Sequence, residues 1–208
     1  MENIMAAIHS IRVSGDILDK DISEQEFMAR YGEQDACEWA DGCALKLPQD
    51  DTTCEAVSRF LSALFTNYFA ASEQTGAVSV NPLLKTAMGL RRPDIVVYEG
   101  TATTSPIEKA SLVVEISTHE SHRRDRVEKF LAYEATGITE YWLIDVAIEE
   151  VLFYQLDDNG FYELAELDEA YLHHSVALPR LQISPDIFWN DKMPDANEVI
   201  DLAKAMLR

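Results

Sequence analysis

Long apolar runs are missing from this chain. No stretch approaches the roughly 18 consecutive apolar residues of a membrane span, so no membrane association is expected. The start, "MENIMAAIHSIRVSGD", has no basic segment ahead of its short apolar stretch, so no secretory signal is expected either. Cysteine is scarce. Cys37, Cys43 and Cys54 are odd in number and lack C-x-x-C spacing or nearby histidines, which argues against a disulfide framework and against a zinc knuckle. A reduced cytoplasm is the expected compartment. Internal repeats, low-complexity segments and long linkers are also lacking. Basic residues are the last shortage: 17 Lys and Arg stand against 37 Asp and Glu, a net charge of −20. That balance argues against broad nucleic-acid binding over the whole surface.

What is present is ordinarily globular: 208 residues, 47% hydrophobic and 26% charged, enough for one domain over 1–208 with a sizeable core. The charge is uneven. Residues 82–130 carry eight basic and seven acidic side chains, whereas 131–208 carry four and 16. Arg91, Arg92, Arg123, Arg124, Arg126 and Lys129 make up most of the positive cluster, which reads either as a solvated face or as a binding patch.

Local patterns give the elements. Ser23 and Glu26 have capping-box spacing, predicting a helix over 23–31. Asp41-Gly42 between short runs predicts a tight hairpin. Thr52 and Glu55 repeat the capping spacing ahead of Val57, Leu61, Leu64, Phe65 and Tyr68, which recur at helical period. "GAVSVNPL" reads as a strand and turn, and "PDIVVY", "SLVVEIS" and "EYWLIDV" as buried strands, with Tyr141 and Trp142 in the core. A helix over 121–136 stops at Gly137, and "EVLFYQL" and "FYELAEL" form a hairpin through "DDNG". His173-His174 falls in a loop. "SPDIFW" and "DANEVIDLAKAMLR" return to helix. The alternation defines an α/β protein with a mixed central sheet flanked by helices, an N-terminal helix and hairpin, and a C-terminal helix.

One stretch, "LVVEISTHESHRRDRVEKF", carries the chemical question. Glu115 interrupts a buried strand, and a buried carboxylate is costly unless paired. Asp94 starts the preceding strand, and Lys129 follows on the helix. Two carboxylates at neighbouring strand ends suit a hard cation such as Mg²⁺ or Mn²⁺, with water completing the shell. Such a cation polarises a phosphodiester, and a nearby lysine stabilises developing charge. The alternative is structural: Glu115 tied to an arginine of the 123–126 block. At ~100° per residue, the apolar stripe Val127, Phe130, Leu131 and Tyr133 is centred roughly 130° from Lys129, so periodicity does not place Lys129 in a cleft. His119 and His122 flank the turn after the strand, as phosphate or metal contacts or as plain surface residues.

"RRPDIVVYEG" and "SLVVEISTHESHRRDRVEKFLAYEATGITEYWLIDV" closely resemble a widespread bacterial family assigned as endonucleases, long catalogued as a domain of unknown function, with the restriction-endonuclease-like PD-(D/E)xK fold. The matching residues are Pro93-Asp94, Glu115-Ile116-Ser117, Asp125-Arg126, Lys129-Phe130, Gly137, Glu140-Tyr141-Trp142-Leu143 and Asp145, with Glu38 and Gly42 in the hairpin. The resemblance covers about 23–190. It implies a Mg²⁺- or Mn²⁺-dependent endonuclease acting on DNA, with Asp94 and Glu115 as metal ligands and catalytic residues. Lys129 would be base or charge stabiliser, standing in for the motif lysine whose usual position is Ser117 here. Glu38 would be an accessory carboxylate. Apart from the resemblance, a chain at −20 can approach a polyanion only through a local positive surface, so Arg91, Arg92, Arg123, Arg124 and Arg126 are the expected nucleic-acid contacts. Replacing Lys129 by Met is then expected to abolish cleavage with little change in melting temperature. One departure stands: where the family commonly has a histidine entering its first long helix, this chain has "TTCEAV". The competing reading is a catalytically inactive nuclease-fold module acting as a homodimer.

Overall fold

Strands with near-continuous apolar character are buried on both faces, and three of them form the middle of the molecule. The computed structural model describes residues 15–32, 36–48, 52–100, 105–119, 121 and 123–207; the start of the chain, read above for a leader, and His122 lie outside these. Strands are numbered in chain order: β1 (Asp16–Asp19), β2 (Cys37–Ala40), β3 (Cys43–Lys46), β4 (Gly76–Val80), β5 (Leu84–Thr86), β6 (Gly89–Arg91), β7 (Ile95–Glu99), β8 (Leu112–Ser117), β9 (Glu140–Asp145), β10 (Glu150–Leu156), β11 (Tyr162–Leu164), β12 (His173–His174) and β13 (Gln182–Ile183). The helices are α1 (Glu24–Tyr31), α2 (Thr52–Ala71), α3 (Phe130–Thr136) and α4 (Ala196–Met206).

The central sheet runs β11-β10-β9-β8-β7-β4. It is mixed: β8 and β9 are parallel, with Glu115 opposite Leu143, and the other pairs are antiparallel. Alternation along each strand divides the core. Ile95, Val97, Leu112, Val114, Ile116, Trp142 and Ile144 pack on one side with α2 and α4. Val96, Val113, Tyr141 and Leu143 pack on the other with Tyr133 of α3. The helical set read from sequence, Val57, Leu61, Leu64, Phe65 and Tyr68, is fully buried. Gly137 closes α3 in the left-handed conformation, φ 78°, as a C-terminal glycine should.

Departures from the local patterns are instructive. The N-terminal hairpin belongs to a second, five-stranded sheet, β1-β3-β2-β6-β5. Its three-residue strands β5 and β6 are too short to show a period. "SPDIFW" forms a 3₁₀ turn, Pro185–Trp189. The segment Arg124–Lys129 is a π-helical turn leading into α3. His173-His174 is not a loop but the short strand β12, and His173 is buried, stacked on Phe153 with ring centroids 4.0 Å apart.

The second sheet depends on one glycine. Gly89 has φ +119°, and a Cβ there would lie 2.2 Å from the Trp39 carbonyl oxygen. Without a side chain, β6 lies against β2, Leu90 opposite Trp39, and this brings Arg91 alongside Glu38. Gly89→Ala is expected to cost more than about 2 kcal/mol of unfolding free energy, measured by denaturant titration, because both the conformation and the close approach are lost.

Candidate active site

Glu115 faces α3 because Val113, Glu115 and Ser117 share one side of β8, opposite in sense to Leu112, Val114 and Ile116. Its Oε2 accepts from the Lys129 ammonium at 2.8 Å, and its Oε1 accepts a short hydrogen bond from the Tyr133 hydroxyl. The partner of the buried carboxylate is therefore lysine and tyrosine, not an arginine of the 123–126 block.

Lys129 reaches Glu115 because the turn is not α-helical where it matters. Arg124, Asp125, Glu128, Lys129, Ala132 and Tyr133 are buried, a recurrence every four residues. The anticipated stripe fails at Val127, which is 41% exposed. A π turn closes i→i+5, so more residues fill each turn and the calculated phase at ~100° per residue no longer applies. The wider turn carries Lys129 inward. There its Nζ also lies 3.2 Å from Glu38 Oε1 and 3.5 Å from Asp125 Oδ1.

Glu38 comes from β2, opposite Leu45, and is wholly buried. It accepts from the Arg92 backbone N–H at 2.8 Å, and Arg91 Nη1 lies 3.5 Å from its other oxygen. Burial alone would raise its pKa, but the charges of Lys129, Arg91 and Arg124 prevail and hold it down to about 2. Burial likewise pulls Lys129 down, yet Glu115, Glu38 and Asp125 outweigh it, so the ammonium stays protonated far above the usual lysine range. Glu115 is shifted the other way: burial, with repulsion from Asp125, Asp94 and Glu38, overcomes Lys129 and lifts it well above the ordinary carboxylate range.

Asp94 sits one residue before β7. Its Oδ2 accepts from the Ile116 N–H at 2.6 Å, and the β7–β8 register, Ile95 opposite Val114, carries Asp94 toward Glu115. Asp94, Glu115, Asp125 and Lys129 line one cleft of about 500 Å³ together with Arg92 and Arg124. Glu55, from the stretch where the family has a histidine, also lines it, while Cys54 is buried beneath.

The five arginines separate. Arg124 and Arg92 line the cleft, Arg91 is buried against Glu38, and Arg123 is exposed. Arg126 bonds Asp145 at 3.2 Å and also Glu150. His119 is exposed. Two residues around Glu115 carry no expectation from spacing alone: Tyr133, buried behind it, reads as an apolar-stripe residue, and Asp125, which lines the cleft, as part of a charge run.

Among the described residues, no three His, Cys, Asp or Glu side chains are grouped as a metal cluster. The donors nevertheless suit Mg²⁺, which is commonly held by one or two carboxylates plus water and substrate oxygens. Asp94 and Glu115 are two such groups on one cleft, and buried oxygens of Asp125 and Glu38 lack hydrogen-bond partners.

A mixed sheet with two carboxylates and a buried lysine at one cleft describes a nuclease-type α/β architecture, and the comparisons agree. The model of the Uma2 family, described as "putative restriction endonuclease", matches residues 24–190. The chain belongs to that family and has its restriction-endonuclease-like fold. A solved structure described as "a putative nuclease belonging to DUF820 from Anabaena variabilis" superposes with a TM-score of 0.64 at 14% identity, covering 88% of this chain and 99% of that one. No curated protein matches. No helix among the described residues is long and apolar enough to cross a membrane.

Two outcomes follow from the charge network. Lys129→Met would leave three buried carboxylates without their cation, so it is expected to cost about 3–5 kcal/mol of stability in denaturant unfolding. This replaces the sequence expectation of an unchanged melting temperature. Glu38, with a folded pKa near 2 against an ordinary 4.5, contributes stability that is complete above pH 4.5 and lost as pH falls through 2. The stability gap between the parent and Glu38→Gln should therefore narrow across that window in acid titrations of unfolding.

Proposed function

We propose that the chain is a divalent-metal-dependent endonuclease hydrolysing phosphodiester bonds of DNA. The observation that carries this reading is the convergence of Asp94, Glu115 and Lys129 on one cleft. Asp94 and Glu115 would hold Mg²⁺ or Mn²⁺, which when bound supplies Lewis-acid polarisation of the phosphodiester.

The protein's own groups have distinct parts. Ile116 N–H orients Asp94, and Tyr133 and Lys129 orient Glu115 from two sides. Because Lys129 is held protonated, it serves better as a stabiliser of negative charge developing on phosphoryl oxygens than as a base. It also positions the attacking water by donating to it. Glu38 acts through Lys129 as a positioning residue, fixing the ammonium from the second sheet. Low local dielectric strengthens each of these interactions relative to the surface.

The net charge of −20, and the engagement of both Glu115 oxygens within the protein, favour a second reading: a non-catalytic nuclease-fold module that acts as a homodimer. Calorimetric titration with Mn²⁺, followed by cleavage of a supercoiled plasmid, separates the two. The parent should bind the ion and nick the plasmid. Asp94→Asn should lower cleavage by at least about 100-fold and weaken ion binding in the same sample. A parent that binds no Mn²⁺ and leaves the plasmid intact overturns the nuclease reading in favour of the module.

A further inference from the structure

Buried N–H groups of Arg91, Arg124 and Arg126 lack hydrogen-bond partners among the described residues, and of these three arginines Arg124 lines the cleft. Arg92 spends Nε on the Cys37 carbonyl at 3.3 Å and Nη1 on the Asn81 carbonyl at 2.8 Å. Arg126 is committed to Asp145 and Glu150. Arg91 lies beneath the cleft against Glu38, and Arg123 is exposed. Arg124 differs from all four. It lines the cleft, is only 4% exposed, and its Nε and Nη1 are buried with no hydrogen-bond partner among the described residues. None of the ion pairs that join Lys129 and Arg91 to the carboxylates includes it.

A buried guanidinium with unsatisfied N–H groups carries its full desolvation penalty, and buried charges are otherwise paired or bound to a ligand. The surroundings do not supply the missing partner. Lys129 faces Glu115, Glu38 and Asp125 before any substrate enters. Arg124 acts at longer range on both: it attracts Glu38 and repels Lys129. Lys46 also lines the cleft but is exposed to solvent, whereas Arg124 is a buried cation whose Nε and Nη1 lack hydrogen-bond partners among the described residues. An oxyanion entering there meets repulsion from Asp94, Glu115 and Asp125 unless a guanidinium receives it.

We propose that Arg124 is the substrate-phosphate contact of this site, donating from its buried guanidinium to a non-bridging oxygen of a phosphodiester in the cleft it shares with Asp94 and Glu115. The assignment rests on the nuclease reading for the identity of the phosphodiester, and on geometry alone for the anion site. Arginine suits this role better than lysine because its five N–H donors are fixed in a plane that matches phosphoryl oxygens.

The test measures binding without cleavage. A fluorescein-labelled duplex is titrated with the full chain in EDTA across a salt series, using the parent, Arg124→Met and Arg124→Lys. Arg124→Met should weaken binding at least tenfold and flatten the logarithmic salt slope by about 0.9, one phosphate contact. Arg124→Lys should keep the slope and lose part of the affinity. The rise in unfolding midpoint produced by the duplex should vanish in Arg124→Met, whatever that variant's own stability. Parent-like affinity and slope in Arg124→Met, or no binding by the parent, overturns the proposal. If Arg124→Met does not fold, parent-like affinity in Arg124→Lys overturns it instead. Inorganic phosphate is added as competitor: failure to displace the duplex at millimolar concentration supports a phosphodiester site, and full displacement shows a phosphomonoester site and refutes this one. Arg124-dependent binding in a protein that never cleaves would refute the nuclease reading and leave the phosphate contact standing.

Discussion

A single ammonium group bridges the two larger sheets of this protein. Lys129 draws Glu38 from the N-terminal sheet, Glu115 from the central sheet and Asp125 from its own helical turn to within 3.5 Å or less. Each of these charges would be costly alone away from water. Together they reduce one another's cost, which is why the pKa of Glu38 falls and that of Lys129 rises. Arg91, set in place by the glycine that lets β6 approach β2, supports Glu38 from behind. The cleft is thus also a joint between the two larger sheets, and the residues lining it contribute to stability as well.

Two carboxylates in the central sheet show how structure and site differ. Glu140, at the start of β9, has five hydrogen-bond partners: Trp142 Nε1, His173 Nε2, Ser175 Oγ and the N–H groups of Val176 and Ala177. It ties the segment around β12 to the sheet and leaves nothing for a ligand. The Glu115 cluster is less complete. Buried oxygens of Glu38 and Asp125 and buried nitrogens of Arg91 and Arg124 lack hydrogen-bond partners. Complete satisfaction is what a structural carboxylate needs, whereas unmet donors and acceptors beside a cleft are what a binding site retains. The overall charge of −20 does not describe this place, because its cations are buried where fields are least screened.

Much of the fold was legible in the chain. The capping box at Ser23, the left-handed Asp41-Gly42 turn, the amphipathic face of α2 and the apolar strands β7, β8 and β9 all follow from local periods of 2 and 3.6 residues. The candidate site was legible as residue types: a carboxylate in a buried strand, another at a strand start, a lysine beyond. Its partnerships were not. The π turn broke the helical phase on which Lys129 was placed. The strands β5 and β6 were too short to reveal the second sheet, and the arginines looked alike until their burial and partners separated them.

Local patterns in the chain were enough to set which segments alternate, where they stop and which carboxylate had to be paired, because these depend on neighbours a few residues apart. Long-range packing was needed to show that Glu38, Glu115 and Asp125 share one lysine, that Tyr133 completes Glu115, and that buried donors of Arg124 lack partners among the described residues. Those are facts of distance between residues up to 91 positions apart. A pattern of local periodicity carries no information about how close such residues come.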